Sequence, residues 1–153
     1  MTAEPLSPDE LQGLSDLIDR WAAEALADNP LVAAVDHDRQ TRRWFVRVTG
    51  EEKDVSTIRF TLRQRTLHHE TFLLPAPEED TARFYEYLLR RNHELYGLAF
   101  EIGEEDAVFI AGQVDGRSVD EDVLDRLLGS TYVAIERCFP QALRIGFASR
   151  LRT

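Results

Sequence analysis

Two stretches in the first half of the chain alternate with period two. Trp44, Val46 and Val48 interleave with Phe45, Arg47 and Thr49, and Ile58, Phe60 and Leu62 interleave with Arg59, Thr61 and Arg63. Successive side chains of a strand point to opposite faces, so such a pattern belongs to half-buried strands with one face in the core. The charged turn Gly50 to Asp54 separates the two. A short apolar run, Leu31 to Val35, precedes them, followed by a polar, turn-like Asp36 to Thr41. Leu67 to Leu74 continues in β-rich residues until Pro75-Ala76-Pro77, which cannot serve a central ladder. Strands in sequence joined by links this short pair antiparallel.

Helices bracket this block. Ser7-Pro8-Asp9-Glu10 is a capping box with Pro at the first helical position. Leu11, Leu14, Leu17, Ile18, Trp21, Ala25 and Leu26 then draw one apolar face, and Asp28-Asn29-Pro30 stops the helix, predicted over 8–27. A second helix is predicted from Glu78 to Asn92, with Glu78, Glu79 and Asp80 in its first turn and Arg90 and Arg91 in its last, as the helix dipole favours. Two strands follow, Leu98 to Ile102 and Ala107 to Val114, linked by the turn Gly103 to Asp106. Ser118-Val119-Asp120-Glu121 reads as a second capping box. The helix after it buries Leu124, Leu127, Leu128, Thr131, Ile135, Cys138 and Phe139, ends at Pro140, and leaves a weak short helix in 141–151. The expected fold is α+β, an antiparallel sheet with helices packed on one side, with Trp21, Leu88 and Leu127 in the core. A doubly wound nucleotide fold, in which strands and helices alternate, does not fit.

The chain has 153 residues. A chain of this length buries roughly 68–70% of its extended surface, so the expectation is one domain over 1–153 that folds without a staple. No apolar run approaches the ~18–20 residues that span a bilayer. The opening Met1 to Glu10 is acidic and polar, unlike an export signal, which leads to a cytoplasmic expectation. A net charge of -10 argues against a general nucleic-acid binder, whose affinity comes largely from neutralising phosphates.

No residues converge on a reaction. In His68-His69-Glu70 the two histidines, adjacent in a strand, face opposite ways, and His68 with Glu70 leaves a zinc site open. Cys138, the sole cysteine, lies on an apolar helix face, where a thiol is inert. Gly103, Gly112 and Gly116 lack phosphate-cradle spacing, and Asp36-x-Asp38 lacks the glycine and closing glutamate of a calcium loop. No catalytic residue, metal or cofactor is therefore expected.

One feature departs from the acidic whole. From Arg39 to Arg65 the basic residues Arg39, Arg42, Arg43, Arg47, Lys53, Arg59, Arg63 and Arg65 outnumber Glu51, Glu52 and Asp54. Alternation turns Arg43, Phe45, Arg47, Arg59 and Arg63 away from the core, onto one outer sheet face. Arginine and aromatics are enriched at interfaces, and arginine grips carboxylates bidentately. The expected contact surface is these five residues, with charge from the arginines and an apolar anchor from Phe45. The alternative is a solvated face whose arginines pair with Glu51, Glu70 or other acids, since antiparallel sheets often keep one wet side.

Arg43-Trp44-Phe45-Val46-Arg47, Gly50-Glu51-Glu52-Lys53-Asp54, Gln64-Arg65-Thr66-Leu67, Glu70-Thr71 and Leu74-Pro75-Ala76-Pro77 resemble the YbjN-domain family of sensory-transduction regulators in its actinobacterial form. Tyr85-x-Tyr87-Leu88-Leu89-Arg90-Arg91-Asn92 is the most specific piece. The likeness runs from about Trp21 to Phe147. It implies a fold similar to the small α+β chaperones of type III secretion, which usually dimerise, and it implies no catalytic residues. The expected function is a non-enzymatic cytoplasmic protein-binding module, chaperone-like or regulatory, docking a protein segment of acidic character, with homodimerisation. The alternatives are a structural homodimer that buries the same face, and an enzyme or small-ligand protein using His68 and His69.

Overall fold

The computed structural model describes residues 4–152, so the domain expected over 1–153 extends past them at both ends. Helix α1 (Pro8–Asp28) leads into four strands, β1 (Val32–Asp38), β2 (Arg43–Thr49), β3 (Val55–Leu62) and β4 (Thr66–Leu74). Helix α2 (Thr81–Arg91), strands β5 (Ala99–Ile102) and β6 (Val108–Asp115), and helix α3 (Glu121–Gly146) follow. The six strands form one sheet in the order β1-β2-β3-β4-β6-β5, antiparallel at every pairing.

Alternation delivers the core. Trp44, Val46, Val48, Ile58, Phe60, Leu62, Leu67 and Leu73 all turn to the helical side with at most 3% exposure. Trp21, Leu88 and Leu127 are buried there, as expected. Two apolar clusters result. One joins α1, β1–β3 and the first half of α3, and the other joins α2, β5, β6 and the second half of α3. Polar pins hold the layers: the Trp44 indole donates to Asp19 and the Trp21 indole donates to Asp125, both at 2.8 Å. His37 stacks on Trp44 and brings Nδ1 within 2.8 Å of the same Asp19.

The buried layer also holds polar groups. His69, Thr71 and Thr131 are fully enclosed. Gly112 is the partner of His69 across β4 and β6. A Cβ at Gly112 would come within 2.4 Å of the Gly97 carbonyl and 2.7 Å of His69 Nε2, so only glycine lets the 97 loop close over that ring. At the β2–β3 turn, Glu136 of α3 accepts hydrogen bonds from the backbone N–H groups of Glu51, Glu52 and Lys53. Partial burial pushes the Glu136 carboxyl up, but those N–H groups and the Tyr132 hydroxyl outweigh it and leave it below its ordinary value. Gly50 leaves room for that carboxylate, which a Cβ would meet at 2.9 Å.

Several boundaries differ from the sequence reading. Asp36, His37 and Asp38 are strand, paired with Phe45, Trp44 and Arg43, rather than turn. Helix α2 begins at Thr81, because Asp80 adopts a left-handed conformation (φ 47°). Glu78 and Glu79 instead serve the end of α3: both backbone N–H groups donate to the Gly146 carbonyl, Arg150 pairs with Glu78, and Glu79 accepts from the Ser149 N–H. The cap of α3 is Asp120, which accepts from the Val123 N–H, whereas Ser118 closes a short 3-10 turn before it. Pro140 does not end α3. A helix-interior proline costs about 3 kcal/mol. Continuing the helix carries Ile145, and Phe147 just past its end, into the core, and at roughly 1.5–3 kcal/mol for each large apolar side chain these offset that cost.

Candidate partner-binding face

All three helices bury their apolar faces against one side of the sheet, and the other side carries the residues singled out for contact. Strand register arranges them in rows. Arg43 lies between Asp38 of β1 and Thr61 of β3; Phe45 lies between Asp36 and Arg59; Arg47 lies between Ala34 and Thr57. Arg43, Phe45, Arg47 and Arg59 therefore form one contiguous patch. Arg63 stands one residue beyond β3 in the hairpin that leads to β4, its backbone N–H donating to Thr66.

The four arginines are not equivalent. Arg59 is paired with Glu70, its opposite number on β4, at 3.1 Å. Arg43 has its Nε sheltered from solvent without a hydrogen-bond partner among the described residues. Arg47 and Arg63 are exposed and make no ion pair among the described residues. Phe45 is half-buried rather than protruding. The basic run is also less isolated than it reads in the sequence, since Asp36, Asp38 and Glu70 share its rows.

An aromatic element completes the face. Phe72 of β4 and Phe109 of β6 are register partners in edge contact at 5.8 Å, with Phe72 44% exposed. Lys53 stands over Phe72 at 5.8 Å, and Val55 is exposed at the start of β3. Phe72 keeps the parity of His68 and Glu70 along β4, so the alternation carries its signal, but it lies beyond the basic run that ends at Arg65.

The histidines separate as their adjacency in a strand requires. His69 is sealed on the core side, where burial pushes it down to about 4, the Gly97 carbonyl working weakly the other way. His68 lies on the outer side opposite Thr61 and Gln113, held below its ordinary value by partial burial and then by Arg63. The two cannot serve one site. Cys138 is buried, and burial raises its thiol. Among the described residues no three His, Cys, Asp or Glu side chains are placed to hold a metal, and no helix is long and apolar enough to cross a membrane.

A family model for YbjN, described as "Putative bacterial sensory transduction regulator", matches residues 16–144. The chain belongs to the YbjN family. A Mycobacterium tuberculosis protein described as uncharacterized is 32% identical over 108 residues, which is 70% of this chain and 58% of the relative. The matched part is thus less than two thirds of that relative's length. Among solved structures, this YbjN chain is similar to one in the ExsC–ExsE complex, with TM-score 0.60 and 15% identity over 88% of this chain and 98% of that one. It is also similar to one in the complex of the Yersinia pestis type III secretion chaperone SycH with a fragment of YscM2, with TM-score 0.50 and 16% identity over 76% and 92%. At such identities the likeness is one of fold, and the YbjN fold here is that of the type III secretion chaperones.

Proposed function

We propose that this chain is a single-domain, cytoplasmic, non-enzymatic protein-binding module, chaperone-like or regulatory, that docks a segment of another protein on the outer face of its sheet. The observation that carries this reading is a sheet face that none of the described helices covers, on which arginines and half-exposed aromatics lie side by side. Arg47 and Arg63 have guanidinium groups uncommitted to any ion pair among the described residues, which suits an acidic segment. Phe45 and Phe72 supply apolar contact at either end. Two solved structures that hold a chain of the same fold are complexes of two proteins, ExsC–ExsE and SycH with a fragment of YscM2, which supports the same kind of role here. The net charge of -10 favours a protein partner over nucleic acid.

A second copy of the chain is the alternative occupant, favoured by the exposed Phe72–Phe109 pair, which a twofold contact would cover. The test is capture from native lysate by wild type, by Arg47→Glu/Arg63→Glu and by Phe72→Ala, each checked by thermal melting. Loss of a captured protein in the double reversal, with an unchanged melting temperature, supports docking on this face. Equal capture by all three chains removes the site from it. Light scattering across low to high micromolar concentration separates the homodimer, whose mass would fall to the monomer's in Phe72→Ala.

A further inference from the structure

A cavity of about 490 Å³ opens away from the sheet face, between the end of α2, the 92–98 turn and the outward side of α3. Its volume lies within the roughly 300–1,000 Å³ of small-molecule sites. Its walls divide by chemistry. Leu95, Leu98, Val133 and Ala134 make an apolar side. Arg91, Arg137, Tyr87, Tyr96 and Ser130 bring donors, against one acid, Glu94.

The charges around it are unbalanced. Arg91 is placed by Tyr87, lying 5.2 Å above its ring, and reaches Glu94 only at 3.5 Å. Its Nε is shut off from solvent without a hydrogen-bond partner among the described residues. Arg137 is exposed and makes no ion pair or side-chain hydrogen bond among the described residues. Arg91, Arg137 and Glu94 line the same cavity, so the formal charges in its wall sum to net positive. The rest of the chain is strongly acidic.

We propose that this cavity binds a small organic carboxylate with an apolar body, its carboxylate held by Arg137 and Arg91 and its body laid between Tyr96, Val133 and Leu95. Arginine presents a planar fork that matches a carboxylate, and charge-assisted hydrogen bonds of this kind are about twice as strong as neutral ones. Inorganic phosphate would leave the apolar wall unused. A neutral apolar molecule would leave the Arg137 guanidinium without an acceptor and the buried Arg91 Nε unpartnered. Gly129 gives the means of closing the site: it lines the cavity within α3, and nothing lies within 4 Å of the position its Cβ would take. A leucine there favours the helix and fills the space.

The experiment titrates the full chain with 4-phenylbutyrate, octanoate and indole-3-propionate, each beside its neutral primary amide, and follows backbone amide resonances. The expected result is saturable shifts in α2, 92–98 and α3 for at least one acid. Its amide should bind about tenfold more weakly or worse, which is about 1.4 kcal/mol. Arg137→Gln and Gly129→Leu should each weaken the acid by about tenfold or more with the circular dichroism spectrum and melting temperature retained. The proposal is overturned if no acid moves these resonances at about 10-millimolar concentration. It is equally overturned if acid and amide bind alike, if the shifts map to the sheet, or if the leucine variant binds as wild type does.

Discussion

His69 makes acid stability the sharpest test of the packing. Its ring has no exposure and Gly112 and Gly97 close over it, so the folded chain holds it neutral. Its titration falls from the ordinary 6.5 to about 4. Above the unfolded value both states hold the neutral ring and no penalty arises. Below it the unfolded chain takes up a proton that the folded chain refuses, so stability declines as pH falls from 6.5 towards 4 and levels off below that, from this group alone. The difference of about 2.5 pH units corresponds to about 3 kcal/mol, at 1.36 kcal/mol per unit. Urea unfolding of wild type and His69→Leu at pH steps from 7.5 to 4 measures it. The variant's stability at pH 7.5 is not the readout, because losing the imidazole changes packing as well. The readout is the difference between the two profiles, which should shift by about 3 kcal/mol in the variant's favour across the window. Parallel profiles would refute the reasoning and mean that the ring is reached by water or a proton at pH 5.

Other perturbations address separate parts of the molecule. Leu127→Ala, buried in the cluster with Trp21 and Phe60, should cost about 2–5 kcal/mol by chemical denaturation. Glu136→Ala strips the β2–β3 turn of the acceptor for three N–H groups, and should cost about 1–2 kcal/mol, the range for losing a cap. Amide exchange at 51–53 should rise with it. Pro140→Ala restores a helical donor within α3 and should raise stability by about 1–3 kcal/mol; a loss would show that the ring's packing outweighs the missing hydrogen bond.

Elements with a strict local period are legible in the sequence. The capping box at Ser7 and the alternation in β2 and β3 depend on neighbours in the sequence, and their positions in the core followed directly. Errors arose where distant residues decide. Pro140 is tolerated because burial on either side of it outweighs its penalty, and Glu78 and Glu79 answer to Gly146 and Arg150, some seventy residues away. The outer face was legible in part. Arg43, Phe45, Arg47 and Arg59 are neighbours, as alternation required, while the pairing of Arg59 with Glu70 and the contact of Phe72 with Phe109 depend on register between strands. A cavity such as that around Arg137 has no sequence signature, because its walls come from two helices and a turn.

Helix α3 runs for 26 residues, about 39 Å at 1.5 Å per residue. Leu124, Leu127 and Leu128 at one end belong to the first apolar cluster, and Ile135, Cys138, Ala142 and Ile145 at the other belong to the second. Such a beam makes the two clusters thermodynamically one. Either could loosen alone only if the helix broke in its middle, near the enclosed Thr131, where every broken backbone hydrogen bond would be lost without compensation from the other half. Unfolding should therefore be a single cooperative transition, with amide exchange in both halves of α3 governed by the same global opening.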